Sequence, residues 1–408
     1  MNSRIRILFP VLLTYFLDTL GLAIIYPIFT PLFLLPQFSF FYPTASLAHR
    51  TILLGLLIAS FPLAQFFGAP LIGELSDRIG RKRVFIATIS ASCIGYFLTG
   101  IGIQFSSLSL LWLGRLCNGF FAGNLTLCLA TLADVNKDPR SRAKNFGWLG
   151  SIGGISFVLA ILLGGNLSNP DLHSSFSPSL PFFVIAALSL CNLFSMYFLF
   201  EESHPKKLPS DFHLLKGIKN LIVAIGEKTM RNLFLTYFFY MITWVTSMQF
   251  LSTFLLKVYA ISLNGLTLTF TLIGTFWLIA NFVINPFLSK RVQPRKTLVC
   301  CLLLMGAFLL LSVTVHSLPL FLLFFMAAVL CSALSWTNVF TTISLSVAPE
   351  VQGSIQGMNQ SIGAIACIIG PIMGGLIAGY DTPYLFAFTG TSSLLAALFL
   401  IKKALKTH

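Results

Sequence analysis

The stretch Gly73-Glu-Leu-Ser-Asp-Arg-Ile-Gly-Arg-Lys-Arg83 puts six charged residues into eleven positions of a 408-residue chain that is only 9% charged. Apolar runs flank it, Ile52–Ile72 before and Val84–Gln104 after, each of about the 20 residues that a helix needs to cross a bilayer. Charge is therefore confined to the connection between two spans, and the rest of the chain repeats that arrangement. With 56% hydrophobic residues, 41 Phe and a mean hydropathy of +0.88, the apolar content exceeds what the polar surface of a soluble globule of this length could cover. Twelve apolar runs follow one another, from Ile7–Leu35 to Tyr384–Ile401. Their unbroken apolar character predicts helices and excludes a β-barrel, whose strands alternate.

The basic residues follow the same rhythm. Arg4 and Arg6 precede the first span, and further clusters follow spans 2, 4, 6, 8 and 12. In all, 23 of the 26 Lys and Arg fall on one side, with Arg50 and Lys257 on the other and Arg115 inside a span. Positive charge collects on the cytoplasmic face, so both termini are expected there, in a bacterial inner membrane. The net charge of +14 is accounted for by this topology and by anionic headgroups, which makes the lipid bilayer the partner and not a nucleic acid. The first run carries Asp18 and no small-residue cleavage site, so it reads as span 1 and not as a removed signal peptide. The eight cysteines and six histidines show no metal-ligand spacing, and no metal or cofactor is expected. Nothing matches Gly-x-x-x-x-Gly-Lys-Ser/Thr, so no nucleotide is expected either.

The longest polar interval, Glu201–Arg231, separates six spans from six. It predicts an N-terminal bundle over residues 1–200, a cytoplasmic linker over 201–231 and a C-terminal bundle over 232–408. The halves repeat each other: Pro139, Gly147, Gly153, Gly164 and Gly165 recur 210 residues later as Pro349, Gly357, Gly363, Gly374 and Gly375. Duplicated bundles that rock about a site between them are a common plan for secondary transporters. The expected fold is all-α, with twelve transmembrane helices in two pseudo-symmetric six-helix bundles.

Specific motifs sharpen this. "GELSDRIGRKR" resembles the loop between helices 2 and 3 of the major facilitator superfamily, and "LLWLGRLCNGFFAG" resembles that family's helix 4 signature through Arg115, Asn118 and Gly119. "LDTLGLAIIYPIF" is similar to helix 1 of its twelve-helix drug–proton antiporters through Asp18, Gly21 and Pro27. The resemblance implies a conformational latch built from Gly73, Asp77, Arg78, Gly80, Arg81 and Asp134. In it Asp77 faces the start of helix 11 near Ser354–Gly357, and Arg81 pairs with Asp134. It also implies gating positions at Gly164 and Gly165 on helix 5 and at Gly370, Pro371, Gly374 and Gly375 on helix 11. Helix 11 keeps the antiporter form "GPIMGG", whereas helix 5 has Ala160 and Ile161 where that signature has Gly-Pro. Ala23 and Thr30 likewise stand where the drug-exporter pattern has Gly and Pro.

Of the twelve carboxylates only Asp18 lies deep in a span, and no carboxylate pair or nucleophile–base set shares a helix face, so an enzyme is not expected. A lone intramembrane carboxyl is suited to exchanging a proton, and Arg115 is a cation that can bias it; together they are the expected proton-coupling residues. Tyr26, Gln65, Asn118, Trp244, Asn281, Trp336 and Asn338 are candidates for a largely apolar substrate cavity. The function expected is proton-coupled export of a small amphipathic or hydrophobic molecule by a monomer using alternating access. Proton-coupled uptake of a metabolite is the alternative, and a non-transporting receptor or scaffold is a third reading.

Overall fold

The computed structural model describes residues 3–38, 45–124, 127–128, 131–132, 139–202, 230–346 and 352–404. Span α1 is two helices, Ser3–Ala23 and Ile25–Leu34. Pro27 has no N–H to give the carbonyl of Ala23 four residues back, and the helix breaks at that point. There follow α2 (Leu47–Ile79), α3 (Arg81–Gln104), α4 (Leu108–Phe120), α5 (Pro139–Leu167) and α6 (Leu180–Leu199). The second half holds α7 (Arg231–Tyr259), α8 (Leu263–Ile279), α9 (Pro294–Thr314), α10 (Leu318–Leu345), α11 (Gln352–Tyr380) and α12 (Tyr384–Ala404). Span α8 continues through a π turn, Ala280–Ile284, into Asn285–Ser289. Pro286 explains the widening, because its ring cannot accommodate a regular turn before it. Ser107 and Ser262 cap α4 and α8, their hydroxyls accepting from the N–H groups of Leu110 and Gly265.

Ten of these helices are long and apolar enough to cross a membrane, which makes this an integral multi-pass protein. Span 4 departs from the expected continuous run Leu108–Leu132. Its helix stops at Phe120, and Phe121–Gly123 form a turn before helical structure resumes at Asn124. Gly119 and Gly123 weaken the helix there, and the side chain of Gln65 on α2 meets the exposed carbonyl of Ala122 at 3.1 Å.

The chain forms two compact units, one mainly Met1–Leu32 with Ser60–Lys216 and the other mainly Phe41–Ala59 with Gly217–His408. In the first, α1 packs on α5 and α6, and α3 on α4 and α6. In the second, α7 packs on α11 and α12, and α9 on α10 and α12, which is the same order six helices on. Two contacts repeat in detail. The hydroxyl of Tyr15 lies where a Cβ on Gly153 would be 2.8 Å away, and that of Tyr237 lies 2.7 Å from the same point on Gly363.

Lipid is as apolar as a side chain, so helices are held by close packing and by polar clasps. Ser156 donates to the carbonyl of Phe16 at 2.6 Å and Asn192 to the hydroxyl of Thr14 at 2.9 Å, fixing α1 in the first unit. In the second, Thr236 donates to the carbonyl of Ala396 at 3.1 Å and Tyr240 to that of Ser332 at 2.9 Å. Phe254, Phe321, Phe325 and Phe386 stack there with ring centroids 4.7 to 5.7 Å apart.

Candidate functional site

The charged stretch Gly73–Arg83 is a corner and not a loop. Helix α2 runs to Ile79 and α3 starts at Arg81, so Gly80 alone turns the chain, at φ +99°, a value that disfavours any side chain. Arg81 is buried and pairs with Asp77 at 2.8 Å, one turn back. It also bonds to the Ser76 hydroxyl, which in turn reaches the carbonyl of Gly73 at 2.6 Å. Arg78 lies in the last turn of α2. Asp134 and the side chains of Ser354 and Gly357, the remaining expected partners of this latch, lie outside the described residues.

A residue that the motif did not announce completes the corner. Glu202, just past α6, accepts from the backbone N–H groups of Arg81 at 3.0 Å and Lys82 at 3.1 Å, capping α3 with a carboxylate at the positive end of its dipole. Glu202→Ala is expected to cost about 1–2 kcal/mol, read as a lower unfolding midpoint in detergent, with Glu202→Gln milder. An unchanged midpoint in Glu202→Ala would remove the cap from the account.

Inside the first unit, Asp18 sits half-buried on α1, three residues before the Gly21 that accommodates the hydroxyl of Tyr96 from α3. Among the described residues Tyr15, Tyr96 and Cys128 are the titratable groups near it. The carboxamide of Asn124 is also near it, its Nδ2 without a hydrogen bond. Arg115 is 3% exposed, its guanidinium 4.8 Å from the ring centre of Phe61 and 5.5 Å from that of Phe29. Its Nε has no acceptor, and among the described residues it pairs with no carboxylate. Two aromatic faces and the Tyr26 and Tyr96 hydroxyls are what surround this cation. Tyr96 thus stands near both charges, while Asp18 and Arg115 make no ion pair with each other among the described residues.

The other cavity candidates take varied places. Tyr26 packs on Phe157 of α5 at 6.0 Å, and Gln65 is engaged by the break in α4. Asn118 is buried against Gly95, its Oδ1 without a donor. In the second unit Trp244 meets Trp277 at 4.6 Å, and the exposed Trp336 meets Phe340 at 4.9 Å, with Tyr237 on the other side of that ring at 5.3 Å. Asn281, in the π turn, accepts from Thr337 at 2.5 Å. Asn338 is 4% exposed and donates to Asn285 at 3.0 Å, so its amide clasps α10 to the end of span 8.

The positions expected to gate are close helix approaches, against side chains at Gly164, Gly370 and Gly374 and against main chain at Pro371 and Gly375. Gly164 faces the break in α1, where a Cβ would lie 2.7 Å from Ile24 and 3.2 Å from the Pro27 ring. Gly165 follows it, buried. Gly370 and Gly374 face Thr246 and Phe250 of α7. The carbonyl of Pro371 abuts Gly55 of α2, and Gly375 abuts the carbonyl of Thr51. Helix α5, with Ala160 and Ile161 fully buried, runs its 29 residues without an internal proline, whereas α11 contains Pro371.

A family model described as Major Facilitator Superfamily matches residues 11–287 and 233–407. The tetracycline resistance protein, class B, of Escherichia coli is 28% identical over 239 residues, 58% of this chain and 54% of that one. The chain thus spans about half the length of that relative. Major facilitator superfamily domain-containing protein 10 of Mus musculus is 28% identical over 396 residues, 88% of this chain and 80% of the mouse protein. The solved nucleoside transporter NupG shares the fold with a TM-score of 0.74 at 17% identity, covering 98% of this chain and 99% of its own.

Proposed function

Because the chain belongs to the Major Facilitator Superfamily, whose members bind and move small molecules across membranes, we propose that it exports a small amphipathic molecule in exchange for protons, with Asp18 carrying the proton. The observation behind this is the place of Asp18: among the described residues it is the one carboxylate in the middle of a span, half-buried and unpaired with any cation. Removing a carboxyl from water favours its neutral form, so proton uptake and release there respond to modest changes in surroundings. Arg115, held between two rings, opposes that preference whenever the helices bring the two charges closer. Alternating access then requires α1 to move at Ala23–Ile25, where its ladder is already interrupted, against Gly164. Trp244, Trp277 and Trp336 are suited to apolar, planar parts of a cargo. In this reading both termini face the cytoplasm of a bacterial cell, supported by the excess of Lys and Arg on that side, and the working form is a monomer.

Export is supported by the tetracycline resistance relative, whose name describes removal of a drug's effect. A second reading, proton-coupled uptake of a metabolite, is favoured by the unbroken α5 with its Ala160-Ile161. Expression in a transporter-depleted host, challenged with a panel of toxic amphiphiles that includes tetracycline, decides between them. Export predicts raised resistance and lower intracellular drug for at least one compound. Heightened sensitivity points to uptake, and no change with any compound, combined with no flux in proteoliposomes, points to a receptor or scaffold.

A further inference from the structure

We infer that Asn124 is the positioning residue for Asp18, an amide that turns one end to the ionised carboxyl and the other to the protonated one. The inference rests on Asp18 as the proton carrier. Asn124 is fully buried, the first residue after the turn that interrupts α4. Its Oδ1 accepts from the hydroxyl of Thr88 on α3 at 2.6 Å. Its Nδ2 makes no hydrogen bond, and Cys128, one turn on, donates to the carbonyl of Val11 at 3.4 Å and so holds this segment against α1, where Asp18 is the carboxyl beside the amide. An amide donor left without an acceptor in a membrane interior is costly, and an ionised Asp18 supplies the acceptor.

Thr88 makes the opposite arrangement equally complete. Its hydroxyl also lies 3.0 Å from the carbonyl of Val84 and 3.1 Å from that of Phe85, so it can turn its proton to the helix and accept instead. When Asp18 takes a proton, its O–H then donates to Oδ1 of a flipped Asn124, and Nδ2 donates to Thr88. In both states Oδ1 has a donor and Nδ2 an acceptor, and the amide flip is the difference between them. The turn Phe121–Gly123, held by Gln65, puts Asn124 at the start of the helical structure that follows it. Around Asp18 the titratable groups among the described residues are Tyr15 on its own helix, Tyr96 from α3 and Cys128 beyond Asn124. Arg115 makes no ion pair with the carboxyl among the described residues. From α5 and α6, Ser156 and Asn192 reach α1, and neither titrates.

The bond to an ionised carboxylate is charge-assisted and stronger than the bond to the acid, so the amide favours the ionised form on balance. The test is an infrared titration of the full-length protein in liposomes, following the carboxylic acid band that Asp18→Asn removes. Asn124→Ala is expected to move the midpoint of that band toward alkaline pH by about one unit or more. Asn124→Ser, which keeps a donor and acceptor, is expected to fall between the two, and provides the comparison should the alanine variant not fold. Thr88→Ser, with its hydroxyl intact, is expected to titrate like the native protein. A purely structural asparagine would leave the midpoint in place, and that result in Asn124→Ala or Asn124→Ser overturns the inference while leaving Asp18 as the carrier. If the native protein shows no such band between pH 5 and 9, the carrier role fails and takes the inference with it.

Discussion

Asp18→Asn is expected to abolish accumulation of substrate driven by a pH difference in proteoliposomes, a fall of at least about tenfold and to background if no other group substitutes. The variant keeps the size and much of the hydrogen bonding of the side chain but cannot gain or lose a proton. Insertion and folding are therefore expected to be normal, and exchange of labelled for unlabelled substrate across the membrane is expected to persist. The contrast matters more than the loss, because a merely structural charge would damage exchange and accumulation together. Continued accumulation against a gradient in the variant would show that the proton travels elsewhere.

The second large effect is expected at the glycines where α2 meets α11. Gly55 lies against the carbonyl of Pro371, and a Cβ on Gly375 would come within 2.6 Å of the carbonyl of Thr51. Both obstacles are main chain, which no rotamer change can move aside. Gly55→Leu must therefore part the two helices, and overpacking of this kind costs about 1–3 kcal/mol. If the seam closes once in every transport cycle, that cost falls on one state only and shifts the balance between states by about 5–150-fold. Transport by Gly55→Leu is then expected to drop by about tenfold or more while the protein remains inserted, with Gly55→Ala intermediate. Native rates in Gly55→Leu would mean that the seam plays no part in turnover.

Much of this architecture was legible from residue patterns because the bilayer imposes simple rules. Apolar runs of one length, basic clusters on alternate connections and the 210-residue recurrence of glycines led to twelve helices and a duplicated plan, and Tyr15 on Gly153 mirrored by Tyr237 on Gly363 is that duplication in atomic form. Proline was only a partial guide: Pro27 and Pro286 each disturb the helix just before them, whereas Pro10, Pro31, Pro62, Pro70 and Pro371 lie inside continuous helices. The interruption of span 4 was not readable. Hydropathy is blind to it, because Phe121, Ala122 and Gly123 are as apolar as their neighbours, and the cause is a tertiary contact from Gln65. The same blindness hid Asn124 within an apolar run, and it gave no sign that the amide of Gln65 donates to a backbone carbonyl. Glu202 escaped notice because its partners are N–H groups 120 residues away, which no local pattern records. Asp18 and Arg115 stood out for the opposite reason, as charges in a segment where charge is expensive.

The central claim, that Asp18 carries the proton exchanged for the substrate, is tested most directly by counting protons in a weakly buffered solution of the purified protein. The compound against which the protein protects cells is added near neutral pH, and proton release is read with a soluble indicator. The account predicts release of up to one proton per protein as the compound binds, rising and falling with the protonated fraction of Asp18, and none from Asp18→Asn although that variant still binds. Binding without release in the native protein, or equal release from Asp18→Asn, would contradict it.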